Sequence, residues 1–88
     1  MEKRIGIILI LIEDKEFIVK LNQILSNHSS IILGRQGLPL RERNMNVISL
    51  IIEGNTDEIS SLTGQLGRLK GVQVKSVLTK HKNAKKEK

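Results

Sequence analysis

The stretch IGIILILI at residues 5–12 consists of seven aliphatic residues and one glycine, with no polar side chain among them. Because the side chains of a β-strand alternate between the two faces of its sheet, this strand is apolar on both faces. Such a strand requires cover on both sides. A chain of 88 residues with two helical segments covers only one of them. The stretch therefore predicts that the second face binds another copy of the protein or another partner.

The composition predicts one small domain with an aliphatic core. The chain has thirteen isoleucines, and Phe17 is its one aromatic residue. It has no cysteine, which excludes disulfides and thiolate-bound metals or iron–sulfur clusters. We expect a domain at residues 1–80, followed by a disordered basic tail at residues 81–88 with four lysines and one glutamate.

The N-terminal apolar run is too short to cross a bilayer. It meets the charged stretch EDKE at residues 13–16 directly, without the small-residue cleavage site of a signal peptide. We therefore expect a cytoplasmic protein that is complete as written and has no membrane association.

Hydrophobic periodicity predicts the element order βαββαβ. Asp14 is expected to cap the first helix. Asn55 or Thr56 can cap the second, and Glu58, three residues after Asn55, would complete a capping box. A connection rich in Gly, Pro and Arg at residues 34–45 separates the second and third strands. The predicted strands are residues 3–12, 30–35, 46–53 and 72–78, and the predicted helices end near Asn27 and just before Gly71.

This order is that of an α+β, ferredoxin-like sandwich, the split βαβ unit. Right-handed crossovers give an antiparallel sheet with strand order 4-1-3-2 and two helices on one face. The first and third strands are the most apolar, as central strands should be. The opposite face then exposes several hundred Å² of apolar surface, by estimate more than monomers usually tolerate. We expect the oligomer interface there, through Ile8, Ile10, Ile48 and Leu50.

The ionisable residues do not indicate catalysis. His28 and His81 lack an acidic or thiol partner at a useful spacing. The acidic residues at positions 13–16 are more typical of the start of a helix, where the dipole favours negative charge, than of a metal site. We expect no enzyme activity, metal or cofactor. Direct nucleic-acid recognition is disfavoured, because the central strands lack the aromatic residues on which RNA-binding sheets of this fold stack bases.

The segment GRQGLPLRER at residues 34–43 is the most distinctive part of the chain. Its arginines suit carboxylates or phosphates. Two interpretations are open: a hairpin arm whose arginines pair with acidic residues or a neighbouring subunit, or a ligand site. For a ligand, the candidate residues are Glu13, Asp14, Lys15, Arg35, Gly37, Arg41 and Arg43.

Three segments together resemble a known family. They are the arm at residues 34–43, the strand and helix start ISLIIEGNTDEI at residues 48–59, and the glycine-spaced run at residues 62–75. Over about residues 3–79, the chain resembles the iron-only hydrogenase system regulators, a small bacterial family. That family is similar to ACT-type domains and to the sensing domain of the nickel-responsive repressor, which are βαββαβ domains that oligomerise through sheets and helices.

The resemblance implies an oligomeric regulatory module, acting on transcription or on a hydrogenase system. The chain has no DNA-binding segment, no His and Cys set like that of the nickel-responsive repressor, and no glycine in the first strand–helix turn. We expect a homo-oligomer, dimer or tetramer, with a small-molecule effector between subunits or a regulatory protein partner. The alternatives are a purely structural oligomerisation module and a weak nucleic-acid binder that uses the basic arm and tail.

Overall fold

A computed structural model describes residues 2–79 and contains four strands and two α-helices. The tail predicted at residues 81–88 lies outside the described residues. Short 3₁₀ turns precede α1, β2 and β3. The elements are β1 (Arg4–Ile12), α1 (Ile18–Asn27), β2 (Ile32–Leu40), β3 (Met45–Gly54), α2 (Thr56–Gly67) and β4 (Val72–Leu78).

The sheet has the order β2-β3-β1-β4, and every neighbouring pair is antiparallel. The predicted α+β fold and its strand order are therefore confirmed. β1 is central because it pairs with β3 along its whole length, from Arg4 opposite Gly54 to Ile12 opposite Asn46. It also pairs with β4, from Gly6 opposite Leu78 to Ile12 opposite Val72. The seven aliphatic residues of this strand thus lie in the middle of the sheet.

The core lies between the sheet and the two helices. Ile8, Ile10 and Leu50 are fully buried, and Ile48 is only 7% exposed. They form one cluster with the buried residues of both helices, Leu21, Leu25, Ile59, Leu62 and Leu66. The prediction that these four strand residues form the oligomer interface was wrong, because they face the helices. A strand that is apolar on both faces does not show which set of alternating residues the helices cover.

β2 is longer than predicted. Pairing with β3 continues through Pro39 to Leu40, so most of the expected irregular connection is regular strand. β2 pairs on one side only, and an edge strand tolerates a residue without an N–H. A 3₁₀ turn at Arg41–Arg43 follows β2. Asn44, with a left-handed φ of 52°, ends this turn and leads into β3. The arm is therefore a hairpin.

The start of α2 is held by the predicted capping box. The Glu58 backbone N–H donates to Asn55 Oδ1 at 2.8 Å, and the Asn55 backbone N–H donates to Glu58 Oε1 at 2.9 Å. Asp14 also caps as predicted, accepting from the Glu16 backbone N–H at 3.0 Å. It caps a 3₁₀ turn at Lys15–Phe17, however, and α1 begins only at Ile18.

Replacing Asn55 with alanine is expected to lower the free energy of unfolding by about 1 kcal/mol, since the Glu58 N–H loses its acceptor. Urea denaturation measures the change. Asn55→Asp keeps an acceptor oxygen and is the matched control, with an expected loss of a few tenths of a kcal/mol at most. Equal losses in both variants would show that the capping bond is not the cause.

Candidate functional site

The sheet face opposite the helices carries no covering element among residues 2–79, and we call it the open face. Ile5, Ile7 and Leu9 of β1 are 39–51% exposed there, and Ile51 of β3 is 49% exposed. A monomer thus leaves the centre of its own sheet in water. The strand residues of the open face are Ile5, Ile7, Leu9, Leu11, Gly34, Gln36, Leu38, Leu40, Met45, Val47, Ser49, Ile51, Glu53, Gln73, Lys75 and Val77.

The strand register makes the apolar part of the open face continuous. Ile7 lies directly opposite Ile51 on one side and Val77 on the other. Leu9, one pleat further along, lies between Ser49 and Lys75. Nine residues of β1 at about 3.3 Å each, across four strands about 4.8 Å apart, give a face of roughly 30 by 15 Å.

The charge on the open face is small and balanced. Glu53 and Lys75 are the charged strand residues on it, and they have opposite signs. The other polar side chains are neutral. An apolar face of this extent with a few polar residues is typical of a protein interaction surface.

The predicted ligand residues Glu13 and Asp14 belong to the turn between β1 and α1. The Glu13 backbone N–H donates to Gly71 O at 2.7 Å, and its carboxylate accepts from Gln73 Nε2 at 3.5 Å. The Asp14 carboxylate caps the 3₁₀ turn. Both acids thus make contacts within the fold.

Gly71 is the residue that lets this turn pack against the start of β4. Its φ is +70°, and a Cβ at this position would lie 2.5 Å from Asp14 Cβ. Gly71→Ala is therefore expected to destabilise the fold by about 2 kcal/mol or more, through left-handed strain and overpacking. Thermal unfolding measures the effect.

Gly64→Ala is the control for Gly71→Ala, because a Cβ at Gly64 meets nothing within 4 Å. Gly64 is also inside α2, so alanine there should stabilise by up to about 1 kcal/mol. A loss of stability in the control, or none at Gly71, would contradict the packing argument.

Arg35 and Gly37 share a cleft of 300 Å³ between β2 and α1. The guanidinium of Arg35 donates to Asn22 Oδ1 at 3.1 Å, which fixes it over the cleft. Gly37 places no side chain in the cleft, although a Cβ there would meet nothing within 4 Å. Arg41 and Arg43 line a separate depression of 200 Å³ at the hairpin turn. The seven predicted ligand residues therefore fall into three places, since Lys15 lies in the 3₁₀ turn beside Glu13 and Asp14.

The described residues contain no group of three or more His, Cys, Asp or Glu side chains arranged to hold a metal ion. His28 makes structural contacts: its Nδ1 lies 2.8 Å from Ile24 O and its Nε2 lies 3.2 Å from Ser61 Oγ. The ring thus links the end of α1 to α2. Within residues 2–79, every helix is too short or too polar to span a bilayer.

A groove between α1 and α2, called the interhelical groove below, was not predicted. Its volume of 620 Å³ exceeds that of the cleft beside Arg35. Its polar residues look like an ordinary solvated helix face in the sequence, and only the packing of the two helices brings them together. It is lined by Phe17, Lys20, Gln23, Ile24, Asn27, Gln65, Arg68, Leu69 and Lys70.

Residues 4–76 match the family model described as "TM1266-like: Iron-only hydrogenase system regulator, putative". The chain belongs to this family. Its fold is similar to that of the uncharacterized protein TM1266 from Thermotoga maritima, with a TM-score of 0.83 and 43% sequence identity. That similarity covers 89% of this chain and 99% of the Thermotoga protein. The resemblance predicted from the three segments is thereby confirmed.

More distant structures share only the fold with this TM1266-like chain. An unknown protein from Galdieria sulphuraria has a TM-score of 0.60 at 17% identity, over 90% of this chain and 46% of its own. A formyltetrahydrofolate deformylase from Pseudomonas putida KT2440 has a TM-score of 0.62 at 11% identity, over 88% of this chain and 29% of its own. No curated protein sequence matches the chain significantly.

Proposed function

We propose that this member of the TM1266-like family is a non-enzymatic regulatory module that works as a homo-oligomer joined through its open face. The observation that carries the proposal is the row of Ile7, Ile51 and Val77, which are 49–71% exposed at the centre and edge of the sheet. The description of the family supports a regulatory role in an iron-only hydrogenase system.

A second copy of the chain is the occupant that fits the open face best. Two such faces in contact would bury roughly 450 Å² in plan on each partner, about 900 Å² in total, which is the size of a small, reversible interface. The balanced charges of Glu53 and Lys75 put no net repulsion between two copies. A nucleic acid fits poorly, because the face has no aromatic side chain for base stacking.

Regulation by such a module requires a signal that changes its association. A small-molecule effector or a protein partner that binds the assembled form better than the monomer shifts the population toward assembly. The effector can shift the assembly equilibrium only by the difference between its binding free energies for the assembled form and the monomer. The module needs no reacting group for this role, which fits the structural contacts made by His28 and by the acidic turn.

Light scattering of the purified protein over a dilution series tests the proposal. We expect a molar mass of at least twice the monomer's 9.9 kDa at micromolar concentrations. Hydrogen exchange should show slower exchange of the β1 and β3 amides at high concentration than at low. A mass of 9.9 kDa throughout would overturn the proposal, and the search should then turn to a different protein that covers the face.

A further inference from the structure

The interhelical groove lies on the helical layer, away from the open face. Phe17, Ile24 and Leu69 give it an apolar lining. Leu69 belongs to the core cluster, and Phe17 and Ile24 pack against that cluster. Phe17 is the one aromatic residue of the chain. The volume of 620 Å³ is within the range of sites that hold small molecules.

The charge of the interhelical groove is of one sign. Lys20, Arg68 and Lys70 line it, and no acidic side chain does. Within residues 2–79 the side chains of these three cations make no hydrogen bond or ion pair. Three cations without a bonded carboxylate give the groove a positive potential, which attracts an anion.

Helix stability explains only part of this charge. Arg68 and Lys70 follow the C-terminal end of α2, where the helix dipole favours cations. Lys20 is the third residue of α1, near the N-terminal end, where the dipole disfavours a positive charge. Its position is unfavourable for its own helix but completes the cationic rim of the groove.

The remaining lining residues are amides. Gln23, Asn27 and Gln65 each offer both donors and acceptors. Gln65 Nε2 donates to Ser61 Oγ at 3.1 Å, which fixes that amide at one side of the groove. The groove thus combines an aromatic surface, hydrogen-bonding amides and three cations, which are the groups that recognise a ring, its polar edge and its phosphates.

We propose that the interhelical groove binds a nucleoside phosphate. The ring lies against Phe17 and Leu69, the amides contact its polar edge, and Lys20, Arg68 and Lys70 hold the phosphates. This site goes beyond the function proposed above, since it uses the helical layer and needs no second copy of the chain. Loss of assembly and loss of nucleotide binding are therefore separate results.

Isothermal titration of the full chain with ATP tests this site. We expect saturable binding, with Lys20→Gln weakening it about tenfold, since a charge-assisted hydrogen bond is lost. Lys75→Gln, on the open face, removes the same charge elsewhere and should change affinity by less than about twofold. Lys82→Gln controls in the same way for the basic segment at residues 81–88.

Two further probes separate a nucleotide from a simple anion. Inorganic tripolyphosphate should bind more weakly than ATP, and Phe17→Leu should weaken ATP by about fivefold or more while leaving tripolyphosphate unchanged. Amide NMR signals of residues lining the groove should shift on titration. Absence of ATP binding, equal effects of the three lysine variants, tripolyphosphate binding as tightly as ATP, or tighter binding of a polyglutamate peptide would each overturn the proposal.

Discussion

Replacing Ile8 with lysine is expected to remove much or all of the chain's folding stability. Ile8 is fully buried at the centre of β1, between β3 and β4 and beneath the helices. An ammonium there reaches no water and no acidic partner, which costs about 4 kcal/mol or more. A domain of 88 residues has a total stability of roughly 4–13 kcal/mol. Circular dichroism and amide NMR dispersion at 25 °C detect the loss.

The neighbouring substitution Ile7→Lys is the matched control for Ile8→Lys. Ile7 is the adjacent residue on the same strand, but it is 51% exposed on the open face. Its lysine keeps the charge in water, so the monomer should stay folded. Similar stability of the two variants would contradict the assignment of even-numbered β1 residues to the core.

The order of elements in this fold could be predicted because it depends on local chemistry. The aliphatic strands, the helical spacing of Leu62 and Leu66, and the caps at Asp14 and Asn55 all act within a few residues along the chain. Right-handed crossovers then leave few ways to arrange four strands and two helices. The same argument placed β1 and β3 at the centre.

The faces of the sheet could not be predicted in the same way. Ile7 and Ile8 are the same residue type, and only the crossing of α1 and α2 over the sheet decides which one is buried. The length of β2 was also missed, because Pro39 predicts an interruption while an edge position tolerates it. The interhelical groove depends on residues from both helices and the segment after α2, and no spacing within one helix reveals it.

Replacing Leu9 with glutamate is expected to abolish assembly while preserving the monomer fold. Leu9 is 39% exposed on the open face and lies directly opposite Lys75. In the monomer the new carboxylate stays in water beside that lysine, and such cross-strand pairs are favourable. In a homo-oligomer joined through this face, the new carboxylate would leave water together with the Lys75 ammonium. Desolvating such a pair costs more than its attraction returns, by about 1–4 kcal/mol relative to apolar packing. We expect the dissociation constant to rise at least about a hundredfold, equivalent to roughly 2.7 kcal/mol.

Val19→Glu supplies the comparison that makes this result specific to the open face. Val19 is 77% exposed on α1, so the change adds the same charge to an apolar surface residue on the other layer. Sedimentation velocity of both variants at equal concentration gives the assembly state, and circular dichroism verifies the fold. If Leu9→Glu remains as assembled as Val19→Glu, copies of the chain meet through another surface. A different protein would then be expected to cover the apolar row around Ile7. Leaving that row in water is unfavourable.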